Sequence, residues 1–290
     1  MCYYNGQKVL HAEYIRLKLL EKAVANYSFF QRDVQVGFDF GPTAVLKSID
    51  GQDDFDIVQM EWGFIPDANV WPFIETREQL NRVRKRYTDE RGKFQQPLNF
   101  LNAVSEELLF KNKVYRKAAL SQRCLVLSTG FYEWRHVFGK NKRTGEPLKT
   151  ATKYPYRIGL KDKEYFYIAG IWNAWEDAST GEYVESCSII TTAANLVMEQ
   201  IHNSKKRMPV MLTEELAYEW LFKEMDEKEI FSIANFQIPW QDLSYYTLAK
   251  DFLSSYEPLK EFVYKDLPAL VLPGQSNNDM MEEGVQGSLF

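Results

Sequence analysis

The spacing of hydrophobic positions changes character partway along the chain. Between residues 10 and 24, LHAEYIRLKLLEKAV sets Leu10, Tyr14, Leu17 and Leu20 or Glu21 at helical spacing with charges between them, which predicts a surface helix. Residues 34 to 49 and 55 to 61 are rich in Val, Phe and Ile and are broken by Gly37, Gly41-Pro42 and Asp50-Gly51, the pattern of short strands joined by turns. Further helices are predicted over Thr76 to Tyr87 and from Ser105 to Lys117, the latter with Asn102 as a candidate cap. From Arg123 onward the runs RCLVLS, FYEWRHVF, YPYRIGL, EYFYIAGIW and YVESCSIITTA, separated by Gly, Asp, Asn or Pro clusters, predict five closely spaced strands. Asn195 predicts a cap for a short helix through His202, MPVML a buried strand, and Thr213-Glu214-Glu215 the start of another helix.

Segregated helices and strands, rather than βαβ alternation, give an α+β fold: an antiparallel sheet or partial barrel flanked by helices. One domain is expected over residues 1–265. Beyond it the composition turns polar and acidic (GQSNNDMMEEGV), and residues 266–290 are expected to form a flexible tail. With 45% hydrophobic and 15% aromatic residues, the 290-residue chain has the material for a sizeable core. Its longest nearly apolar run, Tyr165 to Trp175, is shorter than the roughly 20 residues of a membrane helix, and MCYYNGQKVL lacks a secretory pattern, so a cytosolic protein is expected. Three scattered cysteines exclude a disulfide framework and a zinc site; no metal or cofactor is expected.

Four residues are candidates for chemistry. Once Met1 is removed, Cys2 carries both an α-amine and a thiol, with reference pKa values of about 7.7–8.0 and 8.5. Two reactions suit this 1,2-aminothiol: attack on an acyl carbon, or condensation with an aldehyde to a Schiff base that the thiol closes into a thiazolidine. His202, at the junction of a predicted helix and KKRMPVML, is placed to face a cleft, and Glu133 in GFYEW is placed among aromatics that would raise its pKa and suit it to general acid or base work. On pattern alone Glu133 could equally face water, His202 could be structural, and Asn102 could be only a cap.

The blocks MC at the start, WGFIP (62–66), NAVSE (102–106), RCLVLSTGFYEW (123–134), AGIW (169–172), TTAAN (191–195) and HNSKKRMPVML (from His202) resemble, in order, the SOS response-associated peptidase family over roughly residues 2 to 250. The resemblance implies a sensor of abasic sites in single-stranded DNA that attaches itself covalently to the lesion. It implies Cys2 as nucleophile, Glu133 as general acid or base, His202 as proton donor and sugar partner, and Asn102 as an orienting group. It also implies autoproteolytic removal of Met1, a thiol-dependent peptidase activity and lyase-like Schiff-base chemistry in the DNA damage response. The sequence departs from the family in three places: Tyr3-Tyr4-Asn5 follows Cys2 where MCGR is usual, Val104 replaces the arginine of NARSE, and Asn203 to Lys206 lengthen the step from His202 to RMP.

The net charge of −5 at first argues against nucleic acid. Residues 214 to 229 alone sum to −5 and Asp279, Glu282 and Glu283 add −3, which leaves +3 for the rest of the chain. Residues 82 to 93 carry +4, residues 135 to 153 carry +5, and Lys205, Lys206 and Arg207 a further +3. With Trp62, Trp134 and Arg123, these are the candidate DNA contacts of a basic, aromatic single-strand groove. The final QGSLF resembles a peptide that docks on the replication sliding clamp through Gln286, Leu289 and Phe290, which makes the clamp a candidate partner, with the protein expected as a monomer near the replication fork. Two other readings stand beside this one: an N-terminal-cysteine peptidase or amidohydrolase that does not act on DNA, and a non-catalytic DNA- or clamp-binding module.

Overall fold

Residues 2–67, 74–89, 91–141 and 143–273 are described by a computed structural model. The chain enters with β1 (Tyr4–Gly6), makes the hairpin β2 (Tyr14–Leu17) and β3 (Leu20–Ala23), and continues through β4 (Gln35–Val36), β5 (Pro42–Ser48) and β6 (Phe55–Trp62). Helix α1 (Arg77–Val83), β7 (Tyr87–Thr88), β8 (Phe94–Gln95), β9 (Asn102–Val104) and α2 (Arg116–Ser121) follow. The strand-rich part comprises β10 (Arg123–Ser128), β11 (Gly130–Val137), β12 (Thr152–Leu160), β13 (Phe166–Glu176) and β14 (Tyr183–Ala193). After it come α3 (Leu196–Ile201), β15 (Arg207–Pro209), β16 (Met211–Leu212), α4 (Glu214–Phe222), α5 (Glu227–Ala234) and β17 (Leu243–Thr247).

Strand β10 shows why the sheet closes. Its side chains alternate between two buried clusters, Leu125 and Leu127 on one face and Cys124 and Val126 on the other, so both faces must be covered. Neighbours β5 and β13 flank it, β6 joins β5, and β14 joins β13 antiparallel and β6 parallel, which closes a five-stranded barrel. A second, antiparallel sheet runs β17-β12-β11-β1-β4. One cluster takes in the hairpin residues Ile15 and Leu17 and the α4 residues Ala217 and Trp220. Cys2, Trp62, Leu101, Phe131 and Ile158 are in the other. The α+β class holds, and the expected partial barrel is a closed one.

Four expectations change. Residues 10–24 form the β2–β3 hairpin, not a helix: Ile15 and Leu17 are buried while Arg16 between them is exposed, a period of two. The deciding bonds come from far along the chain. The Tyr165 hydroxyl accepts from Arg16 N (2.9 Å) and donates to Tyr14 O (3.1 Å), the Tyr167 hydroxyl donates to Arg16 O, and Glu214 accepts from Lys18 N at the turn. Helix α1 begins at Thr76 through a capping box with Gln79 but ends at Val83, where Arg84 turns inward to Gly63 O and Glu61. Residues 105–117 hold only a 3₁₀ turn (Ser105–Glu107) and the start of α2, because Ser105 bonds Asn235 and Glu106 pairs with Arg207.

The fourth change is the domain boundary. Residues 266–272 dock on the body rather than leaving it: Tyr154 donates to Asp266, Arg135 to Pro268 O, and Gln200 and Val271 exchange two bonds (2.9 and 2.8 Å). Leu267, Leu270 and Leu272 pack against the core. Gln286, Leu289 and Phe290 lie outside the described residues. Among the described residues no helix is long and apolar enough to cross a membrane.

Candidate active site

Strand β1 carries the N-terminus into the second sheet between β11 and β4, with Asn5 opposite both Phe131 and Gln35. Cys2, just before it, is 1% exposed. Asn102 holds it at both ends: Cys2 N donates to Asn102 Oδ1 (3.0 Å) and Asn102 Nδ2 donates to Cys2 O (2.9 Å). Asn102 is therefore a strand residue that grips Cys2, not a helix cap. Its own position is set by β14, opposite Ile189, and by Leu101, whose carbonyl accepts from Trp62 Nε1 (3.1 Å) and Ile189 N. Burial, joined by the charge of Glu133 once that carboxyl ionises, pushes the Cys2 thiol well above its ordinary range, so it is protonated at neutral pH.

Glu133 on β11 is buried, with its Oε2 3.6 Å from His202 Nε2. No side chain or backbone group among the described residues bonds its Oε1. Burial pushes this carboxyl up to about 8 and His202 down to about 4, so between those values both groups are neutral. His202 Nδ1 lies 2.8 Å from Arg207 O, an acceptor only, so Nδ1 carries the proton and Nε2 presents a lone pair. A carboxylic acid thus faces an imidazole base, as general acid–base chemistry requires.

Two supports were not visible in the sequence. Asn203 makes paired bonds with the main chain of His136, accepting from its N–H (3.0 Å) and donating to its C=O (2.8 Å). It therefore ties the segment after His202 to the strand that bears Glu133. Glu106 takes the Arg207 guanidinium bidentately (2.6 and 2.8 Å), which fixes the carbonyl that orients His202. Both carry polar side chains in loops, a signal too common to single them out.

The four candidate chemical residues thus come together, while the expected DNA contacts divide. Trp62 is 1% exposed beneath Leu101 and offers no face to a base. The Arg123 guanidinium donates to the carbonyls of Trp220, Leu120 and Lys223, near the ends of α2 and α4, so its donors are engaged within the fold. Arg207 is paired with Glu106, whereas Lys205 and Lys206 are exposed. Trp134 is half-buried against Tyr4 and Phe252, and strand alternation puts it on the opposite face of β11 from Glu133. Among the described residues no His, Cys, Asp and Glu side chains cluster as metal ligands.

The sequence profile of the SOS response associated peptidase family (SRAP) matches residues 11–254. Abasic site processing protein YoqW of Bacillus subtilis is 39% identical over 121 residues, 42% of this chain and 47% of that protein. Abasic site processing protein HMCES of Rattus norvegicus is 30% identical over 203 residues, 64% of this chain and 51% of that protein, so the chain spans about half the length of these relatives. A crystal structure of a Bacteroides thetaiotaomicron protein superposes with a TM-score of 0.66 at 26% identity, covering 90% of this chain and 100% of that one. With the profile spanning most of its length, the chain belongs to the SOS response associated peptidase family.

Proposed function

We propose that this protein recognises an abasic site in single-stranded DNA and bonds to it through Cys2. The observation that carries the reading is the Asn102 grip on Cys2 beside a neutral Glu133–His202 pair. Hydrolysis of the Met1–Cys2 peptide bond consumes one water and frees the α-amine. The amine lone pair then attacks the aldehyde carbon of the ring-opened deoxyribose, giving a carbinolamine. Glu133 protonates its hydroxyl, water leaves, and an imine remains. The thiol adds to the imine carbon and its proton passes to the imine nitrogen, closing a thiazolidine with loss of one water overall.

The state of the thiol favours this order over a thiol hydrolase acting on an external amide. A hydrolase needs a thiolate for the first attack, and burial holds the Cys2 sulfur protonated. In the proposed sequence the amine attacks first and the thiol only traps an electrophile already formed. His202 Nε2 is the local base for the proton released when the sugar ring opens.

The test incubates the Met1-free protein with single-stranded DNA carrying one abasic site and looks for an adduct that survives denaturant. Wild type should give one and Cys2→Ala none. Equal yields from the two proteins would overturn the reading.

A further inference from the structure

Phe38 is 48% exposed although it lies beside the most buried chemistry in the molecule. It is the middle residue of the 3₁₀ turn Gly37–Asp39, and its ring centroid is 4.7 Å from that of Tyr3 at 38°. Gly37 N donates to Tyr3 O (2.8 Å), which ties the turn to the residue after Cys2. From below, the turn rests on the buried floor: a methyl group on Gly37 would come within 3.2 Å of Leu101 and 3.3 Å of Trp62. Phe40, in the left-handed region at φ 51°, closes the turn, with the Arg84 guanidinium 4.0 Å from its ring centroid. The Tyr3–Phe38 pair is thus fixed before any ligand arrives.

Its direction follows from strand register. Asn5 faces Phe131 and Gly6 faces Gly130 across β1 and β11, so continuing the register sets Tyr3 opposite Glu133, on the same face of the sheet. Tyr4, Tyr132 and Trp134 share the other face. The aromatic pair, Phe38 exposed and Tyr3 half-buried, therefore borders the Cys2–Glu133 site. Asp39 beside it disfavours a phosphate, and a neutral flat surface suits a π-face.

We propose that Tyr3 and Phe38 form a platform that stacks the nucleobase adjacent to the abasic deoxyribose, an inference that rests on the function proposed above. An abasic nucleotide brings no base of its own, so the neighbouring base is the flat group next to the reacting sugar, and aromatic stacking is tolerant of its identity.

The full-length, Met1-free protein is compared with Phe38→Ala and Phe38→Trp. Adduct formation is measured on an abasic oligonucleotide at subsaturating concentration and on free 2-deoxyribose 5-phosphate, which has no neighbouring base. In Phe38→Ala the ratio of the two rates should fall by about 5- to 150-fold, the size of one lost base stack. Phe38→Trp should restore it. An unchanged ratio, including equal loss on both substrates, would overturn the proposal. Affinity for an oligonucleotide with a tetrahydrofuran analogue, which cannot react, reads the platform without the covalent step. If wild type forms no adduct but Phe38→Ala still weakens this affinity, the platform stands and the covalent reading fails. A Phe38 effect confined to binding of an apolar peptide would overturn the platform.

Discussion

Replacing Glu133 by Gln should stabilise the fold while disabling its chemistry. Burial pushes this carboxyl from its ordinary 4.5 up to about 8, so the folded state holds the proton more tightly than the unfolded state does. The stability from that proton is complete below pH 4.5 and is lost as pH rises toward 8. At pH 7 the loss has accumulated at about 1.4 kcal/mol per pH unit to about 3 kcal/mol, whereas at pH 5 it is below about 1 kcal/mol. Glutamine has no such loss. Any misfit of its amide is the same at both pH values, and the destabilisation from His202 below its ordinary 6.5, which grows from pH 7 to pH 5, is common to both proteins and cancels from the gap between them. The readout is therefore how the melting-temperature gap between variant and wild type changes with pH. For a chain of this size about 1 kcal/mol moves Tm by roughly 2–4 °C, so the gap should widen in the variant's favour by about 5–11 °C from pH 5 to pH 7. Scanning calorimetry on both proteins checks this, and a gap that is flat or narrows with rising pH refutes the buried, proton-bearing carboxyl. The same variant should form adduct about 10²- to 10⁴-fold more slowly at pH 7, the usual worth of a positioned general acid.

Four further outcomes follow. Asn203→Ala removes both bonds to the His136 main chain, so adduct formation should slow about tenfold and its upper pH limit should fall as Glu133 gains water; a lower Tm with an unmoved limit would make Asn203 merely structural. Arg123→Ala leaves several carbonyls near helix ends without a donor and should destabilise by about 2–4 kcal/mol in urea unfolding with oligonucleotide affinity unaltered, whereas weakened binding at full folding would return Arg123 to the DNA surface. Replacing Lys205 and Lys206 together by Ala should lower the slope of log affinity against log salt by about 1.4 for single-stranded DNA, and an unchanged slope would remove them from the phosphate path. The resemblance of QGSLF to a clamp-docking peptide predicts that deleting Gln286 to Phe290 abolishes any affinity for the replication sliding clamp, and unaltered affinity would sink that partner.

The strands from Arg123 onward were legible because β-branched and aromatic residues and turn clusters carry the information locally. The β2–β3 hairpin was not, since LHAEYIRLKLLEKAV satisfies a helical period while the bonds that decide it come from Tyr165 and Tyr167. Asn102 reads as a cap in any local window; its partner is 100 positions away at Cys2. Trp62 and Phe38 exchange the roles that composition suggests. The tryptophan lies under Gly37 as floor, and the phenylalanine, hidden in what reads as a strand, stands above it in solvent. Only the register of β1 on β11 and the close approach at Gly37 separate the two.

The departures from the family pattern concern the grip on DNA more than the reaction. Val104 supplies no charge, Arg207 is neutralised by Glu106, and Arg123 is turned inward, so of these positions only Lys205 and Lys206 present free-standing positive charge at the surface. The Cys2–Asn102 grip depends on none of those charges, and the Glu133–His202 pair uses Arg207 only as an inward ion pair with Glu106 that fixes the carbonyl bonded to His202. Under the proposed function, a protein built this way, with a net charge of −5, would gain little from counterion release and would depend on stacking to find a lesion and on the covalent bond to keep it. Raising salt should then weaken the initial encounter only modestly and leave the finished adduct untouched.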